Sequence, residues 1–168
     1  MTALVAYASA HGSTRTVAEC IAARLSGRGL EVVVAPLGPD PELAPYRGVV
    51  LGSAVHSGAW LPEAAAYVRR RHEALTARQV WLFSVGMAAA LPGPLRRLAA
   101  RREPGPIAGV VRLLHPRGYR RFSGVIRREH LDRRGRLLFR LLGCRYGDYR
   151  DWAQVDAWAD GIAEALSG

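Results

Sequence analysis

The stretch YASAHGSTRTVAE, residues 7–19, decides the interpretation of the whole chain. The apolar run that leads into it, residues 3–8 (ALVAYA), is typical of a strand buried on both faces of a parallel sheet. Beyond its glycine, apolar residues recur at helical spacing from Val17 to Leu25, and Gly27 then ends the pattern. A strand, a glycine-containing turn and a helix in this order predict the start of a β-α-β unit.

The rest of the chain repeats this alternation. Further strands are predicted at residues 31–35 (EVVVA), 48–53 (GVVLGS), 80–85 (VWLFSV) and 120–127 (RRFSGVIR). Helices are predicted from Pro62 onwards, at 134–142 and at 151–166, the last with an inner face made of Trp152, Val155, Trp158, Ala159, Ile162 and Leu166. Five strands alternating with helices predict a doubly wound α/β layer structure with right-handed crossovers.

Length and composition narrow the class of protein. A chain of 168 residues that is 49% hydrophobic suits a single domain with one core. The longest nearly apolar run, residues 80–91, is well short of the roughly 20 residues of a membrane-spanning helix. Because the first residues carry no signal-peptide pattern, we expect a cytoplasmic protein. Cys20 and Cys144 have no CxxC spacing and His72, His115 and His130 have no metal-ligand spacing, so no metal site is predicted.

The positive charge is concentrated in one region. The net charge is +10, and residues 96–150 hold 16 arginines against 4 acidic residues. Within residues 127–142, arginines alternate with leucines, which fits a solvated helix face or a helix lying on an anionic membrane surface. Nucleic-acid binding is the least supported alternative, since no recognition motif accompanies the arginines.

Three loops are expected at the carboxyl edge of the sheet, where such folds bind ligands: residues 9–14, 54–60 and 86–90. The first, SAHGST, places three hydroxyls and a glycine directly before a helix, an arrangement that favours a phosphate. It matches neither GxGxxG nor GxxxxGK[ST], so the fingerprints of NAD and ATP sites are missing. An ordinary strand-to-helix turn with a hydroxyl N-cap is the alternative.

The residues 7–19 are also similar to the phosphate loop of flavodoxin-like proteins, commonly written [ST]-x-T-G-x-T. Ser9, Gly12 and Thr14 occupy matching places, His11 replaces the usual threonine, and Ser13 takes the variable position. Three later segments resemble the menaquinone-dependent protoporphyrinogen IX dehydrogenase branch of that family: residues 49–68, FSVGM at 83–87, and 121–163, which includes a D-x-R…DW pattern at Asp148, Arg150, Asp151 and Trp152.

The resemblance implies a flavodoxin-like sheet of five parallel strands in the order 2-1-3-4-5, with helices on both faces. It implies one domain over residues 1–168 with a basic helical insertion around 127–147. It also implies FMN as cofactor, with the phosphate on the first loop and the ring between the second and third. The cofactor-binding candidates are Ser9, Ala10, His11, Gly12, Ser13, Thr14, Ala54, Val55, His56, Ser57, Gly58, Trp60, Ser84, Val85, Gly86, Met87 and Ala88.

Aromatic side chains often stack on the flavin ring in flavodoxins. Here Trp60 and His56 are the candidates in the second loop, whereas the third loop has none. We therefore expect one face of the ring to be open to a substrate. Alternatively, Trp60 belongs to the core or to the surface ahead of the helix, and His56 is a solvated loop residue.

The resemblance implies an FMN-dependent oxidoreductase in which the flavin carries the chemistry. Its substrate would be protoporphyrinogen IX or a similar reduced organic molecule, and its electron acceptor a quinone. The basic helix would then hold the protein peripherally on the inner face of the cell membrane. Two alternatives stay open: a flavodoxin-type electron carrier, which the net charge of +10 disfavours, and a module that has lost its flavin.

Overall fold

The computed structural model describes residues 2–168. The strands are β1 (Thr2–Ala8), β2 (Glu31–Pro36), β3 (Gly48–His56), β4 (Ala59–Trp60), β5 (Gln79–Gly86), β6 (Gly118–Ser123), β7 (Val125–Ile126) and β8 (Gly147–Asp148). The helices are α1 (Ser13–Gly27), α2 (Pro62–Thr76), α3 (Gly93–Arg101), α4 (Gly105–Leu114), α5 (Arg133–Leu141) and α6 (Trp152–Ser167). Short 3-10 turns lie at Ala88–Ala90 and Arg128–His130.

Five parallel strands form the main sheet in the order β2-β1-β3-β5-β6. The two-residue strand β4 pairs antiparallel with the end of β3, and β7 pairs with β8 in a separate small sheet. If the short β4 is not counted, the order is 2-1-3-4-5, so the predicted flavodoxin-like α/β fold is confirmed.

The predicted strand at residues 120–127 is wrong in its bounds. Its parallel part, β6, begins earlier and ends at Ser123, and the chain then bends at Gly124 into β7. The Gly124 N–H donates to the carbonyl of Gly86 at 3.0 Å. A Cβ at this position would lie 2.9 Å from Val85, so the close approach to β5 requires glycine.

Two apolar layers cover the main sheet. On one face α1 and α6 pack over Val5, Val50 and Phe83, and on the other α2 and α4 pack over Leu4 and Leu51. The second layer is incomplete because residues 37–47, which connect β2 to β3, contain no helix. Val33 of the edge strand β2, which lies beside Leu4 on this face, is therefore left 45% exposed.

The C-terminal helix departs from its predicted inner face at one residue. Val155, Ala159, Ile162 and Leu166 are buried as expected, but Trp152 is 39% exposed. Its ring lies under the guanidinium of Arg150, whose Cζ is 4.8 Å from the ring centroid. Because Trp152 is the first residue of α6, it lies at the end of the helix and stacks with a cation there.

The predicted basic insertion contains one helix, α5. Asp132 caps its N-terminus by accepting the N–H of Gly135 at 2.7 Å. Phe139 packs with Ala90 and Ile126 in a small separate core, while Leu137 and Leu141 on the other side are exposed. Within residues 2–168, no helix has the length and apolar character needed to cross a membrane.

Candidate functional site

The loop between β1 and α1 has the geometry of an anion site. Gly12 lies at φ 92°, a left-handed conformation that favours glycine, and its N–H donates to the Ser9 hydroxyl at 3.0 Å. The first helical bond runs from the N–H of Thr16 to the Gly12 carbonyl at 3.0 Å. No side chain caps α1 and no acidic residue lies in its first turn. The earlier N–H groups and the positive end of the helix dipole are therefore available to an anion.

A small cavity of about 120 Å³ lies at this helix N-terminus. Its walls come from the first loop, from the ends of β3 and β5, and from β7 and the insertion. From the first loop it is lined by Ser9, Ala10, His11, Ser13 and Thr14. Hydroxyls and free N–H groups around a pocket of this kind suit a phosphate.

A larger cavity of about 780 Å³ adjoins the small one. The two share Val55, His56, Gly86, Met87 and Leu131 in their walls. The larger cavity is bounded at one end by the second and third loops and at the other by α3, α4, β6 and α5. The predicted phosphate site and the predicted ring loops thus border two adjoining cavities with shared walls.

The second loop is a tight hairpin. Ser57 at φ 50° and Gly58 at φ 74° connect β3 to β4, and positive φ at both central residues is typical of a type I′ turn. His56 is exposed at the start of this turn and lines both cavities. In the third loop, Met87 is 44% exposed and Ala88 begins a 3-10 turn.

Trp60 does not lie where ring stacking would need it. The indole is only 5% exposed, packs in the core with α2, and donates its N–H to the Ser84 hydroxyl at 2.7 Å. The prediction that Trp60 stacks on the flavin ring is therefore wrong. The two-residue strand β4 turns this side chain inward, which leaves His56 and Met87 as the large side chains at the cavity wall between the two ring loops.

A polar chain that the sequence did not indicate runs beside the larger cavity. The Tyr119 hydroxyl lies 2.9 Å from that of Ser84 and 2.8 Å from the carboxylate of Glu103. Burial, together with Glu103, raises the pKa of Tyr119. The guanidinium of Arg121 donates to carbonyls at the end of α3, those of Ala99, Ala100 and Arg102.

The alternation of the β6 sequence GYRRFS held a signal for these residues. Tyr119, Arg121 and Ser123 are two positions apart, which places them on one face of the strand. The predicted site was confined to loop residues and therefore did not include them.

The D-x-R…DW segment contacts the first helix. Arg150 donates to the Thr16 hydroxyl at 3.0 Å and forms an ion pair with Asp148, whose pKa it lowers. These contacts hold the chain before α6 against the first turn of α1. They lie behind the phosphate loop and line neither cavity.

Comparison with known proteins agrees with this geometry. A model of the flavodoxin domain matches residues 4–142. The chain belongs to the flavodoxin family. No curated protein sequence matches it.

Solved structures show the same fold at low identity. A flavodoxin from the domain Archaea aligns over 100% of both chains with a TM-score of 0.64 and 17% identity. Flavodoxin 2 from Bacillus cereus does so with a TM-score of 0.58 and 20% identity. The rubredoxin oxygen:oxidoreductase from Desulfovibrio gigas aligns with 99% of this chain over 36% of its own length, with a TM-score of 0.66 and 15% identity.

Membership of the flavodoxin family confirms FMN as the cofactor and electron transfer as the general function. The site fits such a group, because the α1 N-terminus supplies N–H donors for a phosphate and the adjoining cavity reaches both ring loops. The assignment of individual residues to phosphate and ring stays a prediction. Among residues 2–168, no three His, Cys, Asp or Glu side chains are grouped so as to hold a metal.

Proposed function

We propose that the chain is an FMN-dependent oxidoreductase with a substrate of its own. The observation that carries this proposal is the larger cavity, which continues from the ring loops to α3, α4 and α5. A protein that only exchanges electrons with partner proteins needs an accessible flavin edge and no cavity beyond it. The flavin ring would occupy the end of this cavity at the ring loops, and the end between α3, α4 and α5 could hold a second molecule against an open flavin face.

The walls of this cavity indicate the chemistry of the substrate. They are predominantly apolar, with Ile107, Leu138 and Phe139 among them, and Arg96 and Arg102 add positive charge on the α3 side. Such a site favours a large apolar molecule that carries carboxylates. Protoporphyrinogen IX, the substrate implied by the sequence resemblance, has both properties.

The residues of the chain would bind and orient the reactants. The first loop would bind the cofactor phosphate, and His56, Met87 and the backbone of the two ring loops would border the ring. FMN supplies the redox chemistry when it is bound. For every pair of hydrogens removed from the substrate, a quinone would be reduced to its quinol, so electrons and protons balance.

The position of α5 favours a quinone that arrives from a membrane. Leu138 and Leu142 line the cavity and are also 57% and 39% exposed, so the cavity opens beside the outer face of α5. That face also exposes Leu137 and Leu141, with Arg134 adjacent in the first turn. Exposed leucines flanked by arginines are typical of a helix that lies on an anionic membrane surface.

An electron carrier is the second candidate. The full-length structural matches to flavodoxins favour it, since they show that the whole chain forms that fold. A carrier would exchange electrons with a redox protein and would not oxidise a small molecule.

Anaerobic turnover separates the two candidates. The FMN-loaded protein is mixed with protoporphyrinogen IX and a water-soluble quinone, and porphyrin formation is followed by absorbance. We expect turnover that falls at least tenfold in Ala100→Trp, because an indole there would occupy part of the cavity on the α3 side. Ala157→Trp, at an exposed site on α6, serves as the matched control and should leave turnover unchanged. A loaded protein without turnover would favour the carrier.

A further inference from the structure

His11 of the first loop and His130 of the insertion stack face to face. Their ring centroids are 4.1 Å apart and their planes differ by 2°. His130 ends the 3-10 turn that precedes α5, and its Nδ1 accepts a hydrogen bond from the N–H of Arg127 at 3.4 Å. Both rings line the small cavity at the N-terminus of α1. The insertion thus forms one wall of the predicted phosphate site.

The other walls of that cavity are short of positive charge. Although the chain carries a net charge of +10, no arginine is among the residues that line the cavity. Its ionisable side chains are three histidines: His11, His56 and His130. A phosphate bound there would meet hydroxyls and N–H groups, and only histidine could add a full positive charge within the walls.

Several groups control the charge of His130. Burial lowers its pKa, and the charges of His11 and Arg127 lower it further, while Glu129 and a hydrogen bond to the Val125 backbone act in the opposite direction. The surroundings of His130 therefore favour the neutral ring when no anion lies beside it. A phosphate dianion in the cavity would oppose these effects and favour the protonated ring.

We propose that His130, stacked on His11, is a phosphate-binding residue of the cofactor site and takes up a proton when the cofactor binds. This inference rests on the proposed binding of the FMN phosphate at the first loop. The proton comes from solvent and is taken up at Nδ1 of His130, which then no longer accepts the N–H of Arg127. One proton is taken up for each FMN that binds.

The proposal predicts a direction for the effect of pH. Because the complex holds one more proton than the separate molecules, FMN binds more tightly as the pH falls. The trend ends at about pH 6, where the phosphate itself takes up a proton. An electrostatic contact of the phosphate with N–H groups alone would lower the pKa of the phosphate and give no proton uptake.

Calorimetry of FMN binding to the apoprotein tests this proposal. Titrations at pH 7.5 in two buffers of different ionisation heat give the number of protons taken up, and flavin fluorescence gives Kd at pH 6.5 and 8.5. We expect uptake approaching one proton and a Kd about tenfold lower at pH 6.5 than at pH 8.5. His130→Phe keeps an aromatic ring but should lose both effects, whereas His72→Phe, on α2 and outside the site, should keep them.

The outcomes distinguish this proposal from the cofactor assignment. Proton uptake that persists in His130→Phe, or FMN binding to the unaltered protein without uptake, would overturn the role of His130 and leave FMN binding intact. A protein that binds no FMN would overturn both. If circular dichroism shows that the phenylalanine variant is unfolded, His130→Gln is compared in its place.

Discussion

The indole N–H of Trp60 donates to the hydroxyl of Ser84 across 2.7 Å, inside the core and next to the larger cavity. The bond joins the second loop to β5, the strand that leads into the third loop. Tyr119 lies within hydrogen-bond distance of the same hydroxyl. Ser84 therefore fixes the relative position of the two loops that are expected to enclose the flavin ring.

Ser84→Ala should lower the free energy of unfolding by about 1–3 kcal/mol, because it leaves the buried N–H of Trp60 without its acceptor. Urea denaturation measures the loss, and Ser26→Ala, at an exposed site on α1, should stay within about 0.5 kcal/mol of the unaltered protein. Trp60→Phe combined with Ser84→Ala should cost less than the sum of the two changes. Full additivity would contradict the bond.

Gly12→Ala should destabilise the protein by about 1–2 kcal/mol, since φ 92° strains any residue with a Cβ. No heavy atom lies within 4 Å of the added Cβ, so the cost would come from the backbone and not from a clash. FMN affinity should fall as well, because the first loop loses its shape.

Gly161→Ala is the matched control for that change. Gly161 lies within α6, and a Cβ there also meets open space, but the helix has ordinary backbone angles. This variant should be more stable by about 0.5–1 kcal/mol. Equal effects of the two alanines in denaturation experiments would show that Gly12 is not strained in the way the structure indicates.

The sequence predicted those parts of the fold that leave a local pattern, and it did not predict contacts between segments that are distant along the chain. Apolar runs such as residues 80–85 and the glycine turn before α1 are local, so the parallel sheet and the position of the first loop between β1 and α1 were predicted correctly. Trp60 was misassigned, because an aromatic residue in a two-residue strand can face inward or outward and no periodicity decides between them. The stack of His11 on His130 joins distant segments and leaves no local pattern.

The helices α3 and α4, which border the larger cavity, could not be placed from the sequence because of their prolines. Residues 93–114 hold several prolines, which sequence patterns associate with chain breaks. In the structure, Pro94 and Pro106 instead lie in the first turns of α3 and α4, where a missing N–H costs nothing. The sequence therefore allowed one or two helices in this segment, but it gave neither their bounds nor the cavity that α3 and α4 border.

Asp160 should make stability depend on pH. Its carboxylate accepts hydrogen bonds from Arg24 at 2.7 Å and Arg28 at 2.8 Å, which lower its pKa below the usual value. The stabilisation of the folded state by these two contacts is therefore present above the unfolded pKa of about 3.9 and is lost as the pH falls below it. Asp160→Asn should lower the Tm at pH 7, and the difference from the unaltered protein should shrink towards pH 3.

Glu164→Gln removes one negative charge from the same helix and serves as the control. Its Tm at pH 7 should stay closer to that of the unaltered protein. A Tm difference for Asp160→Asn that is constant from pH 7 to pH 3 would show that the link between α1 and α6 does not depend on the charge of this carboxylate.

The exposed face of α5 should bind anionic vesicles, and arginines on that helix should provide much of the affinity. Arg136 is excluded from the test because its guanidinium donates to the carbonyls of Arg128 and Leu131 and so holds the turn before the helix. Arg133, Arg134 and Arg140 are exposed. At about 1 kcal/mol for each basic residue, changing all three to Gln should weaken binding to phosphatidylserine vesicles roughly 100-fold.

The control replaces Arg47, Arg69 and Arg117 with Gln, which removes the same charge from exposed sites outside α5. This control variant should lose little affinity if α5 is the docking face, and as much as the α5 variant if only net charge matters.

Binding by the unaltered protein should weaken as salt is added, because screening limits exposed charges to about 8 Å at physiological ionic strength. Leu137→Ser with Leu141→Ser should weaken binding without changing that salt dependence, since it removes apolar burial and leaves the charges in place. Vesicle binding that none of the α5 changes reduces would remove the membrane surface as a partner of this helix while leaving the flavin site unaffected.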